Sequence, residues 1–306
     1  MGWLAEYWEA YRPKFTIRDE DVWQSLWRGS ISEFLATAIF VFLGTGSVVS
    51  AQTMSGGVIG VPALTLISIA HGFAIMILVY AIGEVSGGHI NPAITWALLI
   101  TNKLSILRAI CYVVSQLAGA IVGSAVLKSL HPHQLTFNLG CHTIHPDLTA
   151  GQGLWTEVVL TFIFVFIVFA TAVSPFAGKM APLSGSEYGP GKLAPFAIGM
   201  TIMCLHAVGI AMTGASMNPA RSFGPAIIAG GPCWDDHWVY WLGPILGASI
   251  AAATCQLIFL SHLSAISKVF EITRGKANPN EPNPGQSKNR FSQFDDTQEI
   301  SLNEMN

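Results

Sequence analysis

Residues 33–42 and 157–166 obey one pattern, Glu-x-x-x-Thr-x-Ile-Phe-Val-Phe. Further along, Ser-Gly-Gly-His-Ile-Asn-Pro-Ala over 86–93 answers Thr-Gly-Ala-Ser-Met-Asn-Pro-Ala over 213–220. A chain duplicated in this way folds as two like units. Six apolar stretches frame the repeats, roughly 30–52, 63–83, 105–128, 154–174, 194–212 and 238–261. Each has the roughly 20 residues that a helix needs to cross a bilayer. Three fall in each half. An odd number of crossings per half means that the second half enters the membrane upside down. The result is an inverted repeat.

Composition agrees with a membrane solvent. Of 306 residues, 51% are hydrophobic and 11% charged, against about 25% charged in a soluble domain. Thirty glycines suit helices whose backbones approach closely. A net charge of -3 gives no basic excess with which to hold a nucleic acid. The first residues, MGWLAEYWEAYRPKF, lack the apolar core of a signal peptide, so retention of this segment is expected. Gly2 is followed by WLAE, without the Ser or Thr that myristoylation prefers.

Lys and Arg set the orientation. Arg12, Lys14, Arg18 and Arg28 precede the first span, and Lys103 and Arg108 separate the second and third. Lys179 and Lys192 separate the fourth and fifth, and Lys268, Arg274, Lys276, Lys288 and Arg290 follow the sixth. The opposite face carries Lys128 alone. Both termini are therefore expected on the cytoplasmic side. Trp23, Trp27, Trp155, Trp238, Tyr240 and Trp241 stand at span ends, as interface anchors do. The expected organisation is a cytoplasmic segment 1–27, a membrane domain 28–262 with halves 28–128 and 154–262, and a disordered tail 263–306. Within the tail, Arg290-Phe-Ser292 is a weak basic-residue phosphorylation pattern.

Two further apolar stretches, about 91–100 and 218–228, are too short to cross, and each opens on Asn-Pro-Ala. Proline at the first helical position costs nothing, because the missing N–H would be unpaired there. Each stretch thus reads as a half-helix beginning inside the membrane, where irregular backbone survives only beside a cavity or buried in protein. The fold class is an all-α membrane protein with six transmembrane helices and two re-entrant half-helices in an inverted repeat. Two half-helices entering from opposite faces point their N-termini at the membrane centre. Each N-terminus carries about half a positive charge and free N–H groups. Asn91 and Asn218 there offer amide N–H groups to any water in the gap. A water that accepts both bonds turns its hydrogens outward and breaks a proton wire, and the positive field repels cations.

These paired motifs, Asn91-Pro92-Ala93 and Asn218-Pro219-Ala220-Arg221, resemble those of the aquaporins, or major intrinsic proteins, over roughly residues 28–262. The resemblance implies a homotetrameric passive channel in membrane lipid, in the plasma or vacuolar membrane, for water and small neutral solutes. It assigns the central role to the two asparagines. It implies an aromatic/arginine constriction at His71, His206, Ala215 and Arg221. His71 stands where orthodox water channels have Phe, and is similar in this to plant tonoplast intrinsic proteins. The set His-His-Ala-Arg resembles the hybrid intrinsic proteins of mosses and lycophytes. More polar wall and less aromatic bulk point to ammonia, hydrogen peroxide or urea as further solutes. Two histidines near pKa 6.5 would charge as pH falls. Ser222, Ala226 and Tyr240-Trp241 favour water over glycerol, since glycerol facilitators carry Asp after the arginine and a basic residue four further on. Glu33 and Glu157 are implied to accept hydrogen bonds from the pore-loop backbone. A broader glycerol-type facilitator and a junctional protein on the same fold are the other readings.

No nucleophile–base set, phosphate loop or metal-ligand spacing suggests an enzyme or a cofactor. Cys111, Cys204 and Cys255 lie in apolar spans; Cys141 and Cys233 lie in loops and are expected to stay unpaired. His131, His133, His142 and His145 in the connection 129–153 are expected to be solvated rather than metal ligands. The stretch 175–193, with Ser184, Ser186 and Tyr188, is a candidate gate. Ala215 stands where many water channels hold a mercury-reactive cysteine. Mercuric ion should therefore inhibit flux only weakly; strong block removed by Cys204→Ser would trace it to a thiol outside that position.

Overall fold

The computed structural model describes residues 20–132, 137–173 and 193–274, without the side chains of 20–22 and 259–274. The basic residues 12, 14, 18, 179, 192, 276, 288 and 290, His133, most of the candidate gate and the phosphorylation pattern lie outside these residues. Among the described residues, six helices are long and apolar enough to cross a membrane, with mean hydropathy between 1.5 and 2.4. In chain order the helices are α1 Glu20–Met54, α2 Val61–Ser86, α3 Pro92–Ile100, α4 Ile106–Leu130, α5 Ala150–Val168, α6 Ala194–Thr213, α7 Pro219–Ala229 and α8 Val239–Arg274. A π-helical stretch, Phe169–Val173, extends α5.

Contacts divide the chain into Met1–Phe259 and Leu260–Asn306. The first unit holds the membrane body; the described part of the second is the helical run ending at Arg274. Helices α1 and α8 run beyond the expected boundaries at 28 and 262. Residues 20–28 and 263–274 contain no proline, and the backbone ladder does not stop where apolar side chains do. Elsewhere the ends follow local chemistry. Pro62 and Pro195 open α2 and α6. A capping box between Thr149 and Gln152 starts α5. Gly87 and Gly214, with φ of 95° and 83°, end α2 and α6 in the left-handed region that glycine adopts freely.

Helix α1 lies against α4 and α2, α2 against α6, and α4 against α7. Glycines set these approaches. A Cβ on Gly119 of α4 would collide with the Phe34 carbonyl oxygen of α1, and one on Gly247 of α8 with the Val158 carbonyl of α5. Gly72 of α2 and Gly199 of α6 face each other, each blocked by the other's carbonyl oxygen at 2.6 Å. Small residues at crossings replace the hydrophobic drive that lipid cannot supply. Outward faces are apolar: Leu35, Ile39 and Leu43 on α1, and Leu242, Leu246 and Ile250 on α8, are exposed. The core holds Phe40, Val41, Ile90, Phe164 and Val165. Replacing Gly119 by Leu should cost about 1–3 kcal/mol through overpacking. A lower unfolding temperature of the detergent-solubilised protein would show it.

Candidate functional site

Two buried carboxylates hold the irregular backbone that precedes each half-helix. Glu33 of α1 accepts His89 N–H at 2.9 Å and Ile90 N–H at 2.6 Å, and takes the Ser86 hydroxyl at 2.6 Å. Glu157 of α5 accepts Ser216 N–H at 3.0 Å, Met217 N–H at 2.8 Å and the Thr213 hydroxyl at 2.6 Å. Both glutamates are fully buried. Without these acceptors, amides at this depth would be unpaired. The first half adds Gln116, whose amide donates to Glu33 at 2.9 Å and to Thr95 at 3.0 Å. Tyr112 donates to the Ser86 carbonyl at 3.1 Å, and Tyr240 to the Thr213 carbonyl at 3.0 Å. Tyr240 is therefore a buried tie and not the interface anchor expected of it; Trp23, Trp27, Trp155 and Trp238 are exposed as anchors should be. Trp241 is part-buried and meets Phe223 edge-on at 5.9 Å.

Asn91 and Asn218 cap the half-helices. Asn91 Oδ1 accepts Ala93 N–H at 2.8 Å; Asn218 Oδ1 accepts Ala220 N–H at 3.0 Å and Arg221 N–H at 3.3 Å. Their amide groups cross between halves. Asn91 Nδ2 donates to the Met217 carbonyl at 2.8 Å, and Asn218 Nδ2 to the Ile90 carbonyl at 2.9 Å. Those carbonyls are aimed by left-handed residues, Ile90 at φ 55° and Met217 at φ 53°. The conformation is costly for such side chains, especially β-branched Ile90, and the carboxylate bonds to their amides hold it. Each asparagine keeps a second N–H, and both side chains line a cavity of about 200 Å³ with His89, Ile94, Ile202 and His206. Pro92, Pro219, Ala93 and Ala220 are buried in the first turns.

A second cavity, of about 220 Å³, is lined by Gln52, Gly140, His142, Gly214 and Arg221. His206 lines the first cavity and Arg221 the second; His71, His206, Ala215 and Arg221 are all at most 2% exposed. The His71 ring lies 4.3 Å from that of His206. Its Nδ1 pairs with the Ile67 carbonyl at 2.9 Å, and its Nε2 accepts Arg221 Nε–H at 3.2 Å. An imidazole used in this way is neutral, since Nε2 carries no proton. Arg221 Nη1 donates to the Gly140 carbonyl at 2.9 Å. His206 Nδ1 pairs with the Ile202 carbonyl at 3.0 Å, while its Nε2 has no partner among the described residues. Ala215 is fully buried at φ 60°, between Gly214 of one cavity and Ser216 of the other.

The connection that supplies Gly140 differs from expectation in two ways. Cys141 and Cys233 are joined in a disulfide. Their loops meet because the chain after α7 folds back beside the turn Phe137–Gly140, four residues of positive φ. His142 is not solvated: it is 3% exposed, and its Nδ1 pairs with Ser222 Oγ at 2.8 Å. Ser222 Oγ in turn lies 2.5 Å from Ser216 Oγ. Burial, then the Arg221 charge, hold the His142 imidazole well below its ordinary range, so it stays neutral. His145 is exposed beside Asp147. Among the described residues no cluster of His, Cys, Asp or Glu is arranged for a metal. Ala226 is fully buried in α7, and Lys128 caps the end of that helix, Nζ to the Ile228 carbonyl at 3.0 Å.

The sequence reading missed Gln116, Tyr112, His142 and His89, whose Nδ1 pairs with Thr95 Oγ1 at 3.0 Å. Two of these carried a signal. Tyr112 answers Tyr240 in the second half, and His89 occupies the place of Ser216 in the duplicated motif.

The family model of the major intrinsic proteins matches residues 21–255. Aquaporin-4 of Mus musculus is 40% identical over 273 residues, 86% of this chain and 80% of that protein. The lens fiber major intrinsic protein of Ovis aries is 38% identical over 260 residues, 85% of this chain and 91% of its own. Among solved structures, the aquaglyceroporin from Plasmodium falciparum aligns with a TM-score of 0.62 at 23% identity, over 76% of this chain and 94% of that one. At that identity the likeness speaks for the fold.

Removing the Glu157 carboxylate by Glu157→Ala should strand two buried amides and a hydroxyl, at about 1–3 kcal/mol each. Its unfolding temperature should fall well below that of wild type. Thiol titration of the denatured, unreduced protein should find three thiols, Cys111, Cys204 and Cys255, and reduction should release the remaining pair.

Proposed function

Because the chain belongs to the major intrinsic protein family, we propose that this multi-pass membrane protein is a passive channel for water that excludes protons and ions. The supporting observation is the pair Asn91 and Asn218. Two half-helix caps from opposite halves line one cavity, each with an N–H beyond the bond that ties it to the other half. A water oxygen accepting from both would be oriented away from a continuous hydrogen-bonded file, and two helix N-termini would repel a cation there.

His71, His206, Ala215 and Arg221 form the selectivity filter in this reading. Arg221 presents a fixed positive charge, and its two bonded partners are neutral. A cation would have to shed water beside that charge. The imidazole of His71 gives the constriction more polar wall and less aromatic bulk, which in this reading extends the solute range to ammonia, hydrogen peroxide or urea. Ser222, occupied by His142 and Ser216, and buried Ala226 supply no acid–base pair for a polyol. Glu33, Glu157, Tyr240 and Trp241 support the pore loops rather than react. The channel works as a homotetramer with one pore per subunit and both termini cytoplasmic, in the plasma or vacuolar membrane. The likeness to Aquaporin-4 at about 40% identity favours water over a glycerol-type range; a junctional protein on the same fold is the rival reading.

Stopped-flow shrinkage of proteoliposomes, with ammonia uptake on the same sample, tests this. Fast shrinkage with weak temperature dependence is expected, and His71→Phe should cut ammonia flux while sparing water. Shrinkage no faster than in empty liposomes, with or without residues 275–306, would overturn the channel reading in favour of a junctional one.

A further inference from the structure

The His71 ring has a seat, and one glycine makes it. A Cβ placed on Gly44, in the C-terminal half of α1, would stand 2.7 Å from His71 Nε2, 2.9 Å from Cδ2 and 3.2 Å from Cε1. Its three nearest neighbours are all atoms of that one ring. The ring has little freedom to yield. Ile67 holds Nδ1, Arg221 holds Nε2, Phe40 meets the ring edge-on at 5.9 Å, and His206 lies 4.3 Å away. A side chain there would have to move the ring off Gly44, against its bonds to Ile67 and Arg221 and its packing on His206.

We propose that Gly44 is a specificity-determining residue: by leaving α1 without a side chain at this point, it recesses His71 and sets the width and polarity of the constriction. The inference rests on the filter reading above. Gly44 acts through His71 and is a positioning residue. Its backbone sits inside a regular helix, where alanine is preferred over glycine by about 1 kcal/mol. Gly44→Ala therefore offers the helix no obstacle except the imidazole. One added methyl in a tightly packed pocket shifts discrimination by about tenfold.

A double-mutant cycle tests the proposal in proteoliposomes, with wild type, Gly44→Ala, His71→Ala and the double variant reconstituted at equal protein. Osmotic water permeability and ammonia uptake are measured on each. Gly44→Ala should lower water permeability and change the ammonia-to-water ratio by about tenfold. On the His71→Ala background the same substitution should have no effect, because the ring it displaces is gone. An unchanged permeability in Gly44→Ala, or an equal loss on both backgrounds, would overturn the inference. If His71→Ala shifts the ratio while Gly44→Ala does not, the filter reading stands and Gly44 has no part in it. If His71→Ala alters neither flux, the filter reading itself fails. Should His71→Ala not assemble, His71→Ser supplies the short side chain.

Discussion

Everything at the centre of this molecule hangs on two carboxylates in a place where a carboxylate is expensive. Glu33 and Glu157 are fully buried within apolar helices, and a buried charge persists only when its oxygens are bonded. Each is met by two consecutive backbone amides and a hydroxyl from the loop that precedes a half-helix. The dependence runs both ways. The loops break the rule that membrane backbone pairs within its own segment, and only these acceptors let them do so. From that exchange follow the left-handed turns at Ile90 and Met217, the carbonyls those turns direct across the midplane, and the asparagine caps that the carbonyls receive.

The two halves repeat this scheme and then diverge where the chemistry is local. Gly87, Gly88 and Ile90 have positive φ, and so do Gly214, Ala215 and Met217. The hydroxyl donors Ser86 and Thr213 correspond, as do the tyrosine ties 112 and 240. The differences fall beside the passage. Gly88 has no side chain, whereas Ala215 carries one. Position 89 is a histidine bound to Thr95, whereas Ser216 belongs to a chain of hydroxyls leading to His142. Only the second half-helix carries an arginine at the position after its Asn-Pro-Ala.

The fold was legible in the residues because it rests on periods and duplicates. The apolar lengths, the twin Asn-Pro-Ala and the recurring Glu-x-x-x-Thr pattern are local signals, and each reports a membrane constraint directly. The neighbourhood of Arg221 was less so. Nothing near Cys141 in the chain says that Cys233 will lie beside it, since pairing depends on how two long connections fold back over the helices. The reading of His142 as a solvated loop residue failed for the same reason: polarity and loop position are local, whereas burial against Ser222 is not. Gln116 lies on a helix face that looks like any other until Glu33 comes to rest opposite.

The disulfide has a consequence for how the protein is made. It joins residues 92 positions apart, and Cys233 emerges from the ribosome after α5, α6 and α7. The turn that offers the Gly140 carbonyl is translated before α5, long before Arg221 exists to use it. The bond can close only after both re-entrant segments and Cys233 itself have been synthesised. Covalent closure is thus late in the making of the membrane body, and it links a connection of the first-made part of the chain to one that follows the last half-helix.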